Sequence, residues 1–214
     1  VLKWLYQFFE DQHMDFWDFC APFYDIGAKA NGRTYREMIK IVRDLVSQGT
    51  SVLEVAAGTG TISLAVSDKA SRVLCTDLSE NMLNVARRKA TKAGAVNVTV
   101  ANLSIYNLGE PDGSYDIVIA SQVLNLLDEP EKAAAELRRA AKSTVIITTP
   151  YIKNLRGIGR VNIGVFKLFG FAPKFTFDRD GFEQFLPTIG FSNCEFTHID
   201  GKIPMGIAVW RKAE

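Results

Sequence analysis

From Asn31 onward the chain alternates two hydrophobic periods, and that alternation restricts its fold more than any single motif does. Tyr35, Met38, Ile39, Val42, Leu45 and Val46 recur at three- and four-residue spacing before Gly49, which predicts an amphipathic helix with its C-terminal stop. Residues 51–56 follow as a short apolar run, and helical character resumes over 62–66. Residues 73–77 read as a second buried strand, while Met82, Val85 and Ala86 mark the inner face of a helix that ends at Gly94. Residues 96–100, 115–120 and 143–149 read as further strands, the last two separated by a helix over 130–142. Strands that alternate with helices imply a parallel sheet covered on both faces, because parallel neighbours need crossover connections. The expected fold is α/β and doubly wound.

Both ends break this pattern. Residues 191–198 and 203–210 are strand-like and joined through Asp200-Gly201, a two-residue hairpin signal, so an antiparallel hairpin is expected to complete a mostly parallel seven-stranded sheet, with Pro204 suited to its edge. Before Asn31 lie nine of the 23 aromatic residues: Trp4, Tyr6, Phe8, Phe9, Phe16, Trp17, Phe19, Phe23 and Tyr24. A segment this apolar packs on the main body or binds something. The expected organisation is an aromatic lid segment over 1–30 and one main domain over 31–214, with a cap-like insert at 151–177.

Composition narrows the function. At 214 residues and 47% apolar, the chain supports one core that removes ~70% of its unfolded surface from water. Lys+Arg 25 against Asp+Glu 24 gives +1, too balanced for the cationic footprint of a duplex-binding protein, so no nucleic-acid partner is expected. Cys20, Cys75 and Cys194 form no Cys-x-x-Cys pair and lie near no histidine cluster, so neither a disulfide framework nor a metal site is expected. No apolar run approaches the ~20 residues of a spanning helix, and the first residues lack a signal peptide's cleavage region. The expectation is a soluble, cytoplasmic protein.

In such a sheet, ligands bind beyond the carboxyl ends of the strands, and the first strand-to-helix turn is the usual anchor. That turn is Glu54-Val-Ala-Ala-Gly58-Thr-Gly60, and Asp77 ends the next strand 17 residues beyond Gly60. Glycines at 58 and 60 let a ligand approach the backbone, and a carboxylate at 77 accepts the hydroxyl protons of a ribose. A tight turn with a helix-capping Asp stands as the plain alternative. A nicotinamide dinucleotide site wants a third glycine where Ser63 stands, and Glu54 repels a pyrophosphate. The ligand these residues suit carries a ribose and a positive charge without phosphates, a description S-adenosylmethionine satisfies.

The motifs Val52-Leu-Glu-Val-Ala-Ala-Gly-Thr-Gly60 and Val73-Leu-Cys-Thr-Asp-Leu-Ser-Glu-Asn-Met-Leu83 resemble the first two motifs of class I S-adenosylmethionine-dependent methyltransferases. Asn97-Val-Thr-Val-Ala-Asn-Leu103 and Tyr115-Asp-Ile-Val-Ile-Ala-Ser-Gln-Val-Leu-Asn-Leu-Leu127 continue the resemblance in order. It is nearest to the small-molecule branch that includes the ubiquinone and menaquinone biosynthesis methyltransferases. The resemblance implies that Glu54 orients the methionine amino group and that Ala56, Ala57, Gly58, Thr59 and Gly60 line the methionine part. It also implies that Asp77 holds the ribose, Leu78 and Met82 flank the adenine, and Asn102 meets the adenine amino group beside Leu103. Ser121, Gln122 and Val123 would border the sulfonium. Ala56 departs from the family's usual first glycine, and Asn102 from its more common Asp.

Methyl transfer from a sulfonium requires alignment and exclusion of water more than acid–base chemistry. The catalytic residues stay unassigned, with Tyr24 and Tyr151 as candidates. Tyr24-Asp25 resembles the Tyr-Asp pair that folds over the donor in this family, which adds Tyr24 to the donor-binding set, and Tyr151 borders the expected acceptor side. His13 and His198 are assigned no role, and His198 reads as a surface residue. No Asn/Asp-Pro-Pro-Tyr motif follows the fourth strand.

Residues 151–174 read as an apolar helix or helix pair that carries Lys153, Arg156, Arg160, Lys167 and Lys174. The plain reading of this charge run is a solvated face. Of its functional uses, the expected one is a cap that closes by pairing with Glu10, Asp11, Asp15, Asp18 and Asp25, and contact with an anionic membrane through 151–174 is the other. The expected function is methyl transfer from S-adenosylmethionine to a small apolar or amphipathic acceptor, leaving S-adenosylhomocysteine. The alternatives are a donor-binding protein of the same fold with another role, or a lipid-phase acceptor.

Overall fold

In a computed structural model, the described residues are 16–26, 32–155, 157, 164 and 173–213. They form a seven-stranded sheet between two helical layers. The elements, in chain order, are α1 (Phe16–Cys20), α2 (Gly32–Leu45), β1 (Ser51–Val55), α3 (Thr61–Val66), β2 (Arg72–Asp77), α4 (Glu80–Ala93) and β3 (Val98–Asn102). They continue with β4 (Tyr115–Ser121), a 3-10 turn at Leu124–Leu126, α5 (Pro130–Ala140), β5 (Ala141–Pro150), α6 (Arg179–Thr188), β6 (Glu195–Ile199) and β7 (Met205–Arg211).

The sheet order is β3-β2-β1-β4-β5-β7-β6, with β7 antiparallel to both of its neighbours. β1 pairs in parallel with β2 on one side and β4 on the other, so the chain reverses its direction of travel across the sheet at β1. In open α/β sheets the crevice at such a switch point is where ligands bind. Alternation along β4 and β5 divides the core. Ile117, Ile119 and Ile146 face the layer of α2 and α3, where Met38, Val42, Ile62 and Val66 are buried. Val118, Ala120, Val145 and Ile147 face the layer of α5 and α6, beside Ala133, Leu137, Phe182 and Leu186.

Local chemistry accounts for the boundaries. α4 starts at Ser79, whose hydroxyl accepts from Met82 N, and stops at Gly94 in the left-handed conformation (φ 65°). α6 starts at Asp178, whose carboxylate accepts from Gly181 N at 3.0 Å.

Three expectations change. The hairpin connection is residues 200–204 rather than a two-residue turn, and Gly201 lies so close to α2 that a Cβ there would sit 2.1 Å from Thr34 Oγ1. β7 inserts between β5 and β6, so β6 is the edge strand, and Pro204 precedes β7 with its carbonyl accepting from Tyr151 N at 2.8 Å. The third strand begins at Val98, because Val96 is 99% exposed in the turn before it. Of the expected helical insert, residues 151–155 and 173–177 are not helical, and most of its interior lies outside the described residues, as do residues 1–15 and 27–30 of the aromatic segment. Among the described residues no helix is long and apolar enough to cross a membrane.

Candidate functional site

The carboxyl ends of β1 and β4 open into a recess. Its walls are Glu54, Ala56, Ala57, Gly58 and Thr59 from β1 and the following loop, and Ser121 and Gln122 at the end of β4. Tyr24, Tyr35, Thr61 and Ile62 complete it. The loop is held from below: Ala57 N donates to Thr76 O at 2.8 Å, and Gly60 N to Ala57 O at 2.9 Å. Gly60 precedes α3 with φ 68°, and a Cβ there would lie 3.0 Å from Ala86 Cβ and 3.3 Å from Cys75 Sγ. Both its backbone conformation and its surroundings therefore demand glycine. Ala56 and Gln122 also adopt left-handed conformations, with φ 48° and 56°. Each costs about 1–3 kcal/mol for a residue with a Cβ, and both line the recess. Ala56 thus carries strain that the family's usual glycine would avoid.

Glu54 is 1% exposed, and its Oε2 accepts from both the backbone N–H and the hydroxyl of Ser63. Ser63 N is one of the donors that the first turn of α3 leaves unpaired, so the carboxylate caps this helix from inside the sheet while it forms part of the recess wall. Burial pushes the Glu54 carboxyl up to about 7, against the Ser63 hydrogen bonds that favour ionisation; Asp77 raises it further and Lys89 opposes the rise. Because the folded value lies above the ordinary 4.5, this group contributes stability below about pH 4.5 that is lost as the pH rises towards 7. Glu54→Gln keeps an acceptor for Ser63 N and removes the ionisation. It is expected to flatten the fall in melting temperature between pH 4.5 and 7, as read by thermal denaturation at a series of pH values; a parallel fall in variant and parent would show that Glu54 is not its source.

Asp77 Oδ2 accepts from Gly58 N at 2.7 Å and Oδ1 from Ser79 N at 2.9 Å. An ionised carboxylate only accepts, which is the pairing that a diol's hydroxyl groups need. Asn102, the register partner of Asp77, donates from Nδ2 to Leu78 O at 2.9 Å, a bond that an Asp there would not make because an ionised carboxylate only accepts. Leu78 is exposed, Met82 and Val123 are buried, and Leu103 packs half-buried against the core. These four, like Asp77 and Asn102, do not line the recess wall, although the Met82 sulfur comes within 3.9 Å of where a Gly58 Cβ would be.

The described part of the aromatic segment is tied to this loop by its acids. Asp18 accepts from the Ser79 hydroxyl and from Asn81 N at the start of α4. Asp25 accepts from Thr59 Oγ1 at 2.6 Å and from Lys89 Nζ at 2.9 Å, and Lys89 also donates to Thr61 Oγ1 at 2.8 Å. Burial works against the Asp25 carboxylate, yet the hydrogen bonds from Thr59 and Lys89 hold it below the ordinary range. Among the described residues, Asp18 and Asp25 therefore do not pair with Lys153 or Lys174 as expected. Lys153 and Lys174 pair instead with Asp178 at 3.2 Å and Asp128 at 2.6 Å; Arg156, Arg160, Lys167, Glu10, Asp11 and Asp15 lie outside the described residues. These anchors hold Tyr24 over Gly58, with the ring 4.0 Å from where a Cβ would be. Burial, followed by the charges of Asp77, Asp25 and Glu54, raises the Tyr24 phenol to about 12, so it is a neutral hydrogen-bonding group near neutral pH and not a phenolate base.

Tyr151 is 7% exposed and does not line the recess. Its hydroxyl is 2.6 Å from His198 Nδ1, and His198 Nε2 is 3.0 Å from Glu183 Oε1. His198 is therefore a half-buried bridge between β6 and α6 rather than a surface residue. Sequence reasoning missed Tyr35 and Thr61 as wall residues and Lys89 as the anchor of Asp25. Tyr35 sat unnoticed in the apolar stripe of α2, and Lys89 is a surface-type residue whose partner lies 64 positions away. Among the described residues no group of three or more His, Cys, Asp and Glu is arranged to hold a metal.

Comparison with known proteins agrees with this geometry. Residues 52–144 match the model of a family described as a methyltransferase domain. The demethylmenaquinone methyltransferase of Clavibacter sepedonicus is 38% identical over 94 residues, covering 44% of this chain and 38% of that protein. Its namesake in Listeria monocytogenes serotype 4a (strain HCC23) is 32% identical over 130 residues, covering 57% of this chain and 54% of that protein. The chain thus spans about half or less of the length of these relatives. Among solved structures, a SAM-dependent methyltransferase from Aquifex aeolicus superimposes with a TM-score of 0.61 at 22% identity, over 82% of this chain and 88% of that one. Over residues 52–144 the chain is similar to a methyltransferase domain and to the demethylmenaquinone methyltransferases, and its fold is the Rossmann-like fold seen in the Aquifex aeolicus enzyme.

Proposed function

We propose that the protein is a methyltransferase that takes its methyl group from S-adenosylmethionine and passes it, by in-line displacement, to a small apolar or amphipathic acceptor. The observation that carries this reading is the pair of carboxylates at the glycine loop. Glu54 sits in the recess wall and Asp77 braces Gly58 from the next strand, so one end of the recess suits a cationic amine and the other a ribose. A pyrophosphate would meet the field of both.

When bound, S-adenosylmethionine supplies a methyl group on a positively charged sulfur, an electrophile already activated. What remains for the chain is binding, orientation and exclusion of water. Asp77 accepts the ribose hydroxyl protons, Asn102 offers its Oδ1 to the adenine amino group, and Glu54 supplies the field for the methionine ammonium. Ser121 and Gln122 stand at the β4 end of the same recess, where the methyl is delivered. Tyr24, kept neutral, closes the recess from above as part of a lid formed by the N-terminal segment. The methyltransferase-domain match supports this reading over a donor-binding role without transfer. The name of the relatives supports a quinol-type acceptor, in solution or in a lipid phase.

The test is release of S-adenosylhomocysteine with a panel of quinols, phenols, thiols and amines, each in buffer and in anionic vesicles. Turnover with a quinol or phenol supports the proposal, and turnover only with vesicles present assigns a lipid-phase acceptor. An absence of turnover across the panel, in a protein that binds the donor, would favour a non-transferase role.

A further inference from the structure

A lysine on a helix surface normally keeps its ammonium in water. Lys89, half-buried on α4, does not: its ammonium donates to Asp25 Oδ2 at 2.9 Å, Thr61 Oγ1 at 2.8 Å and Thr59 Oγ1 at 3.2 Å, so each of its three protons meets an oxygen of the folded chain. Thr59, 1% exposed, donates from the same hydroxyl to Asp25 Oδ1 at 2.6 Å. These side chains form a closed hydrogen-bonded cluster that joins the N-terminal segment, the glycine loop, the start of α3 and α4. An isolated surface ion pair contributes little, whereas this one is shared with a buried hydroxyl and places a charge-assisted bond on each carboxylate oxygen.

The cluster is the second of two clasps on residues 16–26. Earlier in that stretch Asp18 accepts from the Ser79 hydroxyl and from Asn81 N at 3.3 Å, and its carbonyl accepts from Asn81 Nδ2 at 3.4 Å. Tyr24 falls between the clasps. Its ring stands over Gly58, whose N–H is held by Asp77, and it meets Trp17 edge to face with centroids 6.3 Å apart. Tyr24 and Glu54 line the same recess, so a ligand that reaches both Glu54 and Asp77 passes beneath the strap that carries Tyr24. Releasing Asp18 leaves Tyr24 pinned by its neighbour Asp25. Releasing Asp25 frees it, with Asp18 as the hinge.

We propose that Lys89 is the latch of this strap and sets the rate at which the methyl donor and its demethylated product enter and leave the recess. Lys89 touches no substrate in this role. It is a positioning residue that acts through Asp25 and through Thr59 and Thr61, both of which are wall residues. The inference rests on the methyltransferase reading for the identity of what passes the strap. A latch lowers the population of the open strap whether or not the recess is loaded, so it slows entry and exit together and changes the affinity little.

The experiment measures the association and dissociation rate constants of S-adenosylhomocysteine on the immobilised full chain by surface plasmon resonance. Lys89→Met, which keeps an unbranched side chain and removes the ammonium, is expected to raise both rate constants about tenfold while the dissociation constant moves by about threefold or less. Asp25→Asn is expected to act in the same direction, and the double variant to fall short of the product of the two effects, because both residues work through one contact. Lys92→Met, at an exposed lysine in the last turn of the same helix, is expected to keep the parent's rate constants. Faster dissociation with unchanged or slower association would make Lys89 a support of the loaded wall and overturn the latch. So would full additivity, or unchanged rate constants beside a lower melting temperature. Amide hydrogen exchange of residues 18–26 reads the latch without any ligand, and it is expected to quicken about tenfold in Lys89→Met; unchanged exchange overturns the proposal. If S-adenosylhomocysteine does not bind the parent, the methyltransferase reading fails, and the exchange rates still decide the latch.

Discussion

Asp77→Ala is expected to weaken S-adenosylhomocysteine binding by about 2–4 kcal/mol, which corresponds to roughly 30- to 1,000-fold in dissociation constant. Two losses combine. The variant removes the charge-assisted acceptors for the ribose hydroxyls, and it leaves the Gly58 N–H, now 2.7 Å from Asp77 Oδ2, without its partner. Asp77→Asn separates the two, because its carbonyl oxygen still accepts from Gly58 while the charge is gone. Calorimetric titration should place the Asn variant between parent and Ala variant. Equal affinity in parent and Ala variant would remove Asp77 from the donor site and leave it only a helix-start brace to Ser79.

Gly60→Ala is expected to cost about 2–5 kcal/mol of stability, from ~1–2 kcal/mol for a left-handed alanine and ~1–3 kcal/mol for overpacking. The new methyl group would lie 3.0 Å from the Ala86 Cβ of α4 and 3.3 Å from the Cys75 sulfur of β2, so the loop or the helix must move. Gly94→Ala is the control. It has nearly the same φ, 65°, and nothing within 4 Å of its Cβ, so it incurs the backbone cost without the packing cost. Urea denaturation of both variants reads the difference directly. Equal losses would mean that the close approach of α4 to the loop contributes nothing.

The same contrast shows what the sequence could reveal. β1, the glycine loop, β2 and Asp77 are legible because a buried parallel strand is a continuous apolar run, and because a loop that brings backbone to a ligand needs glycine at fixed positions. Such constraints are local. The stop of α4 at Gly94 is local too, and it falls at the residue the sequence marks. α6 escaped notice because Gly181 near its start and Pro187 near its end both argue against a helix, and the cap from Asp178 to Gly181 N outweighs them. The position of β7 inside the sheet escaped as well, since its pairing with β5 joins residues some 60 positions apart and a hairpin signal does not say which strand lies inward.

Charge pairing was the least legible feature. The cations of 151–174 and the acids of the N-terminal segment suggested that the two regions attract each other. Asp25 instead meets Lys89 and two threonines at the glycine loop, where the hydrogen-bond geometry for its carboxylate is complete, and Asp18 meets the start of α4. Composition fixes the amount of charge, while hydrogen-bond geometry in the folded chain selects the partner.

The central claim is that the recess beside Glu54 and Asp77 is built for a cationic nucleoside without phosphates. Parallel calorimetric titrations of the full chain with S-adenosylhomocysteine and with NAD test it most directly. The account predicts saturable one-to-one binding of S-adenosylhomocysteine and no measurable heat with NAD. Binding of NAD at comparable affinity, or a flat titration with S-adenosylhomocysteine, would contradict it.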